Sequence, residues 1–191
     1  YEATNGRKGP VWLDIPLDVQ ASMIDENNLK GWKPNVIDEK NKALNEKKIE
    51  EMVLEMIQHL NNAQRPVILA GNGIRLADGQ EEFEELVEKL KIPILTTWNG
   101  IDLIEDDNPL FFGRPGGLGQ RYANFIQQNS DFYLSIGARM NLLQTGYNFD
   151  GFARAAYKVM VDIDEAELHK INVRPQLTIA ADAKLFMQIL L

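Results

Sequence analysis

Residues Arg65–Gly73 read RPVILAGNG, and the reading of this stretch decides the fold. Val67 to Ala70 is a short, continuously apolar run, as in a parallel strand covered on both faces. Gly71 and Gly73 follow at once and permit a tight turn. Upstream, EKKIEEMVLEMIQHL begins at Glu46. It carries Ile49, Met52, Val53, Met56, Ile57 and Leu60 at spacings that make one helical stripe. Downstream, DGQEEFEELVEKL begins at Asp78, a residue suited to cap a helix, with Glu81 three positions on. Its stripe is Phe83, Leu86, Val87 and Leu90. The unit is a buried strand set between two amphipathic helices.

The alternation continues along the chain. IPILTTWNG (92–100), PLFFGRPGGLG (109–119), DFYLSIGAR (131–139), AYKVMVDID (156–164) and LTIAAD (177–182) supply further short strands. Tyr122, Phe125 and Ile126 are the expected buried stripe of one intervening helix, and helices are expected to start at Asp164 and Asp182. About six strands alternating with helices predict an α/β fold. Right-handed crossovers make it a Rossmann-like, doubly wound parallel sheet with helices on both faces.

Two stretches near the start stand apart. GPVWLDIPLDVQ (Gly9–Gln20) reads as a buried strand, Val11 to Ile15, ending in proline. The polar, aperiodic residues that follow, up to 45, read as a linker.

Composition sets the functional bounds. The 191 residues are 45% hydrophobic and 25% charged, as in an ordinary globular core. A net charge of −8 argues against a nucleic-acid or anionic-membrane binder, which would carry a basic field. There is no Cys, so thiolate chemistry and Cys-ligated metals are excluded, and the two His, His59 and His169, lack metal-ligand spacing. No apolar run reaches the length of a membrane span and no signal peptide opens the sequence, so a cytoplasmic protein is expected.

In doubly wound sheets ligands sit beyond the carboxyl ends of the strands, where the strand order reverses. The residues there are Gly71 and Gly73 after the first strand, and Arg114 and Pro115 in the glycine-rich GRPGGLG. Gly137 and Arg139 follow the fourth strand, Asp162 the fifth and Asp182 the sixth. Glycines admit backbone N–H groups to a phosphate, arginines neutralise it, and an acid at a strand end accepts hydrogen bonds from a ribose. Each also has a plainer use: the glycines as tight turns, Asp164 with Glu167 as a capping box, Asp182 as a helix cap. No nucleophile–base pair and no phosphate-loop lysine accompany them. The residues alone predict a nucleotide-binding α/β domain without a reaction centre.

Taken in order, GRKGPVWLDIPLDVQ, RPVILAGNG, IPILTTWNG, GRPGGLGQRYANF, SIGAR and VDIDEAEL resemble thiamine-diphosphate-dependent enzymes of the acetolactate synthase type. The resemblance implies residues 1–24 as the C-terminal tail of a pyrimidine-binding domain, 25–45 as a linker and 46–191 as the central domain. It implies a parent that decarboxylates a 2-keto acid and passes the acyl unit to an acceptor, using thiamine diphosphate and Mg²⁺. The family's activating Glu and GDG…N stretch lie in the two other domains, so no catalytic residue is expected here and the fragment alone is expected to be inactive. The parent is expected to be a homodimer or homotetramer.

By position, the family's nucleotide contacts fall on Gly71, Gly73, Arg114, Pro115, Gly137, Arg139, Asp162 and Asp182, with ADP or FAD as the ligand. One departure bears on the choice. Flavin-binding members continue as GARFDDR where this chain has Gly137, Ala138, Arg139, Met140, Asn141, Leu142 and Leu143. The missing charges place ADP, or no ligand, ahead of FAD. The alternative function is a non-catalytic ADP-binding regulatory module.

Overall fold

In the computed structural model, residues 1–33, 39–170 and 172–191 are described. Among them five strands form one sheet: β1 (Pro66–Ala70), β2 (Ile94–Thr96), β3 (Phe132–Ile136), β4 (Tyr157–Asp162) and β5 (Leu177–Ala180). The order is β2-β1-β3-β4-β5 and every pairing is parallel. Ala70 pairs with Thr96 and Ile136, and Ile136 with Val161, so these strands end level along one edge. The helices are α1 (Leu17–Gln20), α2 (Glu39–Asn62), α3 (Gly73–Leu76), α4 (Gln80–Leu90), α5 (Arg121–Asn129), α6 (Leu142–Thr145), α7 (Glu165–Leu168) and α8 (Ala183–Leu190).

Side chains alternate across each strand, so a strand buried on both faces feeds two cores. Ile68, Ile94, Leu134, Val159 and Ile179 pack with Ile49, Val53 and Met56 of α2, Phe83 and Leu86 of α4, and Phe186 of α8. Val67, Leu69, Leu95, Tyr133 and Met160 face the other way, toward Ala123 of α5, Phe152 and Leu168 of α7. The sheet is thus covered on both sides, as a doubly wound fold requires. Each fully buried Leu, Ile or Phe contributes about 1.5–3 kcal/mol over an exposed one.

Several local expectations change. Residues 110–112 are not a strand: Phe111 makes a single bridge to Ile94, and the chain turns away at Gly113, whose φ is +83°. The expected sheet of about six strands is therefore five strands plus that bridge. α2 begins at Glu39 rather than Glu46, so it enters the expected linker; residues 34–38 of that linker lie outside the described residues. Asp78 does not cap α4. It adopts a left-handed φ of 61° between α3 and α4, and Gly79 takes the cap position.

On α5 the inward face is Ala123, Gln127 and the expected Ile126, while Tyr122 and Phe125 are exposed. Residues 11–15, expected as a strand of another domain's sheet, stand outside this sheet and pair with none of its strands. Trp12 is 88% and Leu13 84% exposed, and α1 follows them. The helix expected from Asp164 ends at Leu168, with Ile171 outside the described residues. Among the described residues no helix is long and apolar enough to cross a membrane.

Candidate ligand site at the carboxyl ends of the strands

In the order 2-1-3-4-5 the winding reverses between β1 and β3, and the loops leaving those two strands define the switch point. Here the loops touch backbone to backbone. The N–H of Gly71 donates to the carbonyl of Ile136 and that of Gly73 to the carbonyl of Gly137, both at 2.9 Å. A Cβ on Gly71 would lie 2.2 Å from the Gly137 oxygen, and one on Gly73 would lie 2.6 Å from the Gly137 Cα. The Gly137 N–H in turn donates to Val161. These three glycines let loops meet, and their N–H groups are already bonded.

A cleft of about 480 Å³ opens over this junction, within the usual size of small-molecule sites. Gly73, Gly137, Arg139, Asp162 and Asp182 line it; Gly71, Arg114 and Pro115 do not. Gly71 lies beneath it in the loop contact. Arg114 turns to Asp106, at 2.8 Å, and stacks over Phe111. The glycine-rich loop satisfies itself: Gly116 N–H donates to Asn124 Oδ1, Gly117 N–H to the Leu143 carbonyl and Gly119 N–H to the Gly116 carbonyl. It offers the cleft the Leu118 side chain rather than a cradle of N–H groups.

Cations reach the cleft as side chains instead: Arg139, with Arg7 and Lys8 from the N-terminal segment. Sequence reasoning placed Arg7 and Lys8 in a family motif but not at the site. The signal was GRKGP, a basic pair between glycines, and what brings it to the cleft is a contact across more than 150 positions. Arg7 Nη1 lies 3.0 Å from Glu167 Oε1 and 3.3 Å from Asp164 Oδ2.

Arg139 Nε lies 3.2 Å from the same Glu167 oxygen, and Lys170 pairs with the other. Burial pushes the Glu167 carboxyl up, but hydrogen bonds from Lys170 and Arg7 and the charges of Lys170 and Arg139 outweigh it, holding the carboxyl below its usual range. Arg139 is fixed from behind as well. It and Met140 both have left-handed backbones, at φ 59° and 43°; Met140 is fully buried, and Asn172 donates to its carbonyl.

The acids divide. Asp162, at the end of β4, accepts from the Asp164 N–H at 3.1 Å. Burial raises its carboxyl above the usual range, the Glu167 charge adds to this, and Arg7 and the N–H groups of Asp164 and Arg139 oppose it. Asp182 caps α8, accepting from Lys184 and Leu185 N–H, and Asp164 caps α7 through the Ala166 N–H. Glu167 faces the cations, so the expected capping box is only half made. Around the charged floor stand Trp98, Leu76, Leu118 and Leu143, with the amides of Asn72 and Gln144. Trp98 is more than half exposed, so an aromatic face is open to a flat ligand. Among the described residues lining the cleft there is no Ser, Cys, Tyr or His.

The model for the central domain of thiamine pyrophosphate enzymes matches residues 53–190. The chain belongs to this family of central domains. It is 36% identical over 194 residues to a probable acetolactate synthase large subunit of Methanococcus aeolicus, covering 97% of this chain and 30% of that protein. It is 37% identical over 190 residues to the probable large subunit of Methanocaldococcus jannaschii, covering 95% and 30%. Over 180 residues it is 34% identical to the acetolactate synthase isozyme 1 large subunit of Escherichia coli K12, covering 94% and 30%. The chain thus spans about 30% of the length of these curated relatives. The central domain's match encloses β1 to β5, and every cleft residue except those of the N-terminal segment falls within it.

Proposed function

We propose that this chain is the nucleotide-binding central domain, with an adjoining N-terminal segment, of a thiamine-diphosphate-dependent enzyme that decarboxylates a 2-keto acid and transfers the acyl unit, as an acetolactate synthase does. The observation that carries the binding role is the cleft over the β1–β3 junction, with Arg7, Lys8 and Arg139 as cations and Asp162 at the end of β4. An ADP-like ligand suits it. Its phosphates would take the guanidinium donors, which form strong charge-assisted bonds. Its ribose hydroxyls would take Asp162, and its base would meet Trp98. Asn141 caps α6 through the Gln144 N–H, and Leu143 is exposed and apolar. Neither offers charge to a flavin's distal half, which favours ADP over FAD.

Thiamine diphosphate would supply the carbanion chemistry in the whole enzyme. Among the described residues no group of three or more His, Cys, Asp or Glu side chains converges to hold a metal ion. This chain with thiamine diphosphate and Mg²⁺ should not turn over pyruvate; carbon dioxide release above buffer would contradict the assignment. Calorimetric titration tests the ligand: ADP should bind about as well as FAD. A hundred-fold preference for FAD would overturn the ADP reading, and binding of neither would return the cleft glycines to a purely structural role.

A further inference from the structure

Glu167 does not line the cleft, yet two cations of the cleft end on it. Its side chain is 7% exposed and its Oε1 takes both Arg7 Nη1 and Arg139 Nε, while Lys170 holds Oε2. Among the described residues, Arg7 also makes the only hydrogen bonds between residues 1–33 and the rest of the chain, and both end on α7 or its cap. The two guanidiniums come from distant parts of the sequence, repel each other, and carry long side chains that lose much rotamer freedom when ordered. One carboxylate brings them together and leaves their remaining N–H groups for a ligand.

Resting on the nucleotide reading above, we propose that Glu167 is the positioning residue of the anion subsite: it sets the Arg7–Arg139 pair and so determines selectivity for phosphorylated over uncharged ligands. A competing effect has the opposite sign. Glu167 is negative, and its charge alone disfavours a nearby anion. Arg7, Arg139 and Lys170 already neutralise that charge, whereas two unanchored arginines must be reordered at each binding event, so the ordering effect outweighs the charge.

The test is calorimetric titration of wild type and Glu167→Gln with ADP, inorganic pyrophosphate and adenosine. In the variant, ADP and pyrophosphate should weaken about ten-fold, the loss of one charge-assisted contact, while adenosine holds its affinity. Arg7→Ala should cost less in the Glu167→Gln background than alone, the coupling expected of neighbours that act through one another. If Glu167→Gln does not fold, Glu167→Asp must still weaken ADP several-fold against adenosine, because the shorter side chain cannot hold both arginines.

Tighter binding of ADP by Glu167→Gln overturns the proposal, since it is the result of charge without positioning. Equal losses for ADP and adenosine overturn it too and leave the nucleotide reading standing. Wild type that binds neither ADP nor pyrophosphate overturns both.

Discussion

The Gly73 N–H donates to the Gly137 carbonyl at 2.9 Å, and this bond joins the turns after β1 and β3 where the sheet's winding reverses. The glycines on either side are required by space. Their absent side chains set the depth of the cleft, and the arginines around it supply its charge.

Gly71→Ala follows from that packing. A Cβ there would stand 2.2 Å from the Gly137 oxygen and 2.3 Å from the Ala138 Cα, backbone atoms that cannot step aside alone. Overpacking with no side chain free to yield should cost at least about 3 kcal/mol, read as a lowered urea midpoint. Gly9→Ala, with no atom within 4 Å of its added Cβ, should leave the midpoint unchanged.

Acid should act through Glu167. Its carboxyl lies below the usual range in the folded chain, so its contribution is fully present above the unfolded value and lost as pH falls through the folded one. Stability should therefore drop as pH falls through and below the usual carboxylate range. Glu167→Gln should flatten that limb in urea titrations at successive pH values. Asp162 runs the other way. Its raised value means that ionisation costs stability as pH rises.

Asp182 separates capping from binding. It accepts from Lys184 N–H at 2.9 Å and Leu185 N–H at 3.3 Å. Asp182→Ala should lower the unfolding free energy by about 1 kcal/mol, as lost caps do, whether or not a ligand is added. A loss seen only in the presence of ADP would make the residue a ligand contact first.

The fold was legible where one period rules. Val67 to Ala70 and Phe132 to Ile136 are buried on both faces, and continuous apolar runs announce that. The stripe on α2 was legible for the same reason. On α5 the reading held for Ile126, which packs against the core, and failed for Tyr122 and Phe125. Ala123 lets the helix approach the sheet, and Gln127 is buried because the Tyr133 hydroxyl donates to it at 2.9 Å, so a polar residue occupies the inner face that hydrophobic spacing gave to Tyr122 and Phe125. At the site, Gly73, Gly137, Arg139, Asp162 and Asp182 were legible because each follows a recognisable strand. Arg114 was not, since its partner Asp106 lies in an irregular loop that no period describes. Arg7 was not, since only tertiary structure carries it to Glu167.

The two arginines that look alike in sequence should then differ in function. Arg139→Ala removes a guanidinium that lines the cleft, and one charge-assisted hydrogen bond of about 1.5–3 kcal/mol makes ADP roughly ten-fold weaker or more. Arg114 pairs with Asp106 outside the cleft, so Arg114→Ala should change ADP affinity by no more than about two-fold, as remote substitutions do. Calorimetry on the two variants side by side reads the difference.

The most direct measurement is an amide chemical-shift map of the chain as ADP is added. Shifts should concentrate at Gly73, Gly137 to Arg139, Asp162 to Asp164, Asp182 and Arg7, at the carboxyl ends of the strands. No shifts on adding ADP, or shifts gathered at Val67, Phe125 and Asn129, which line a second, shallower cleft, would contradict a nucleotide site at the β1–β3 junction.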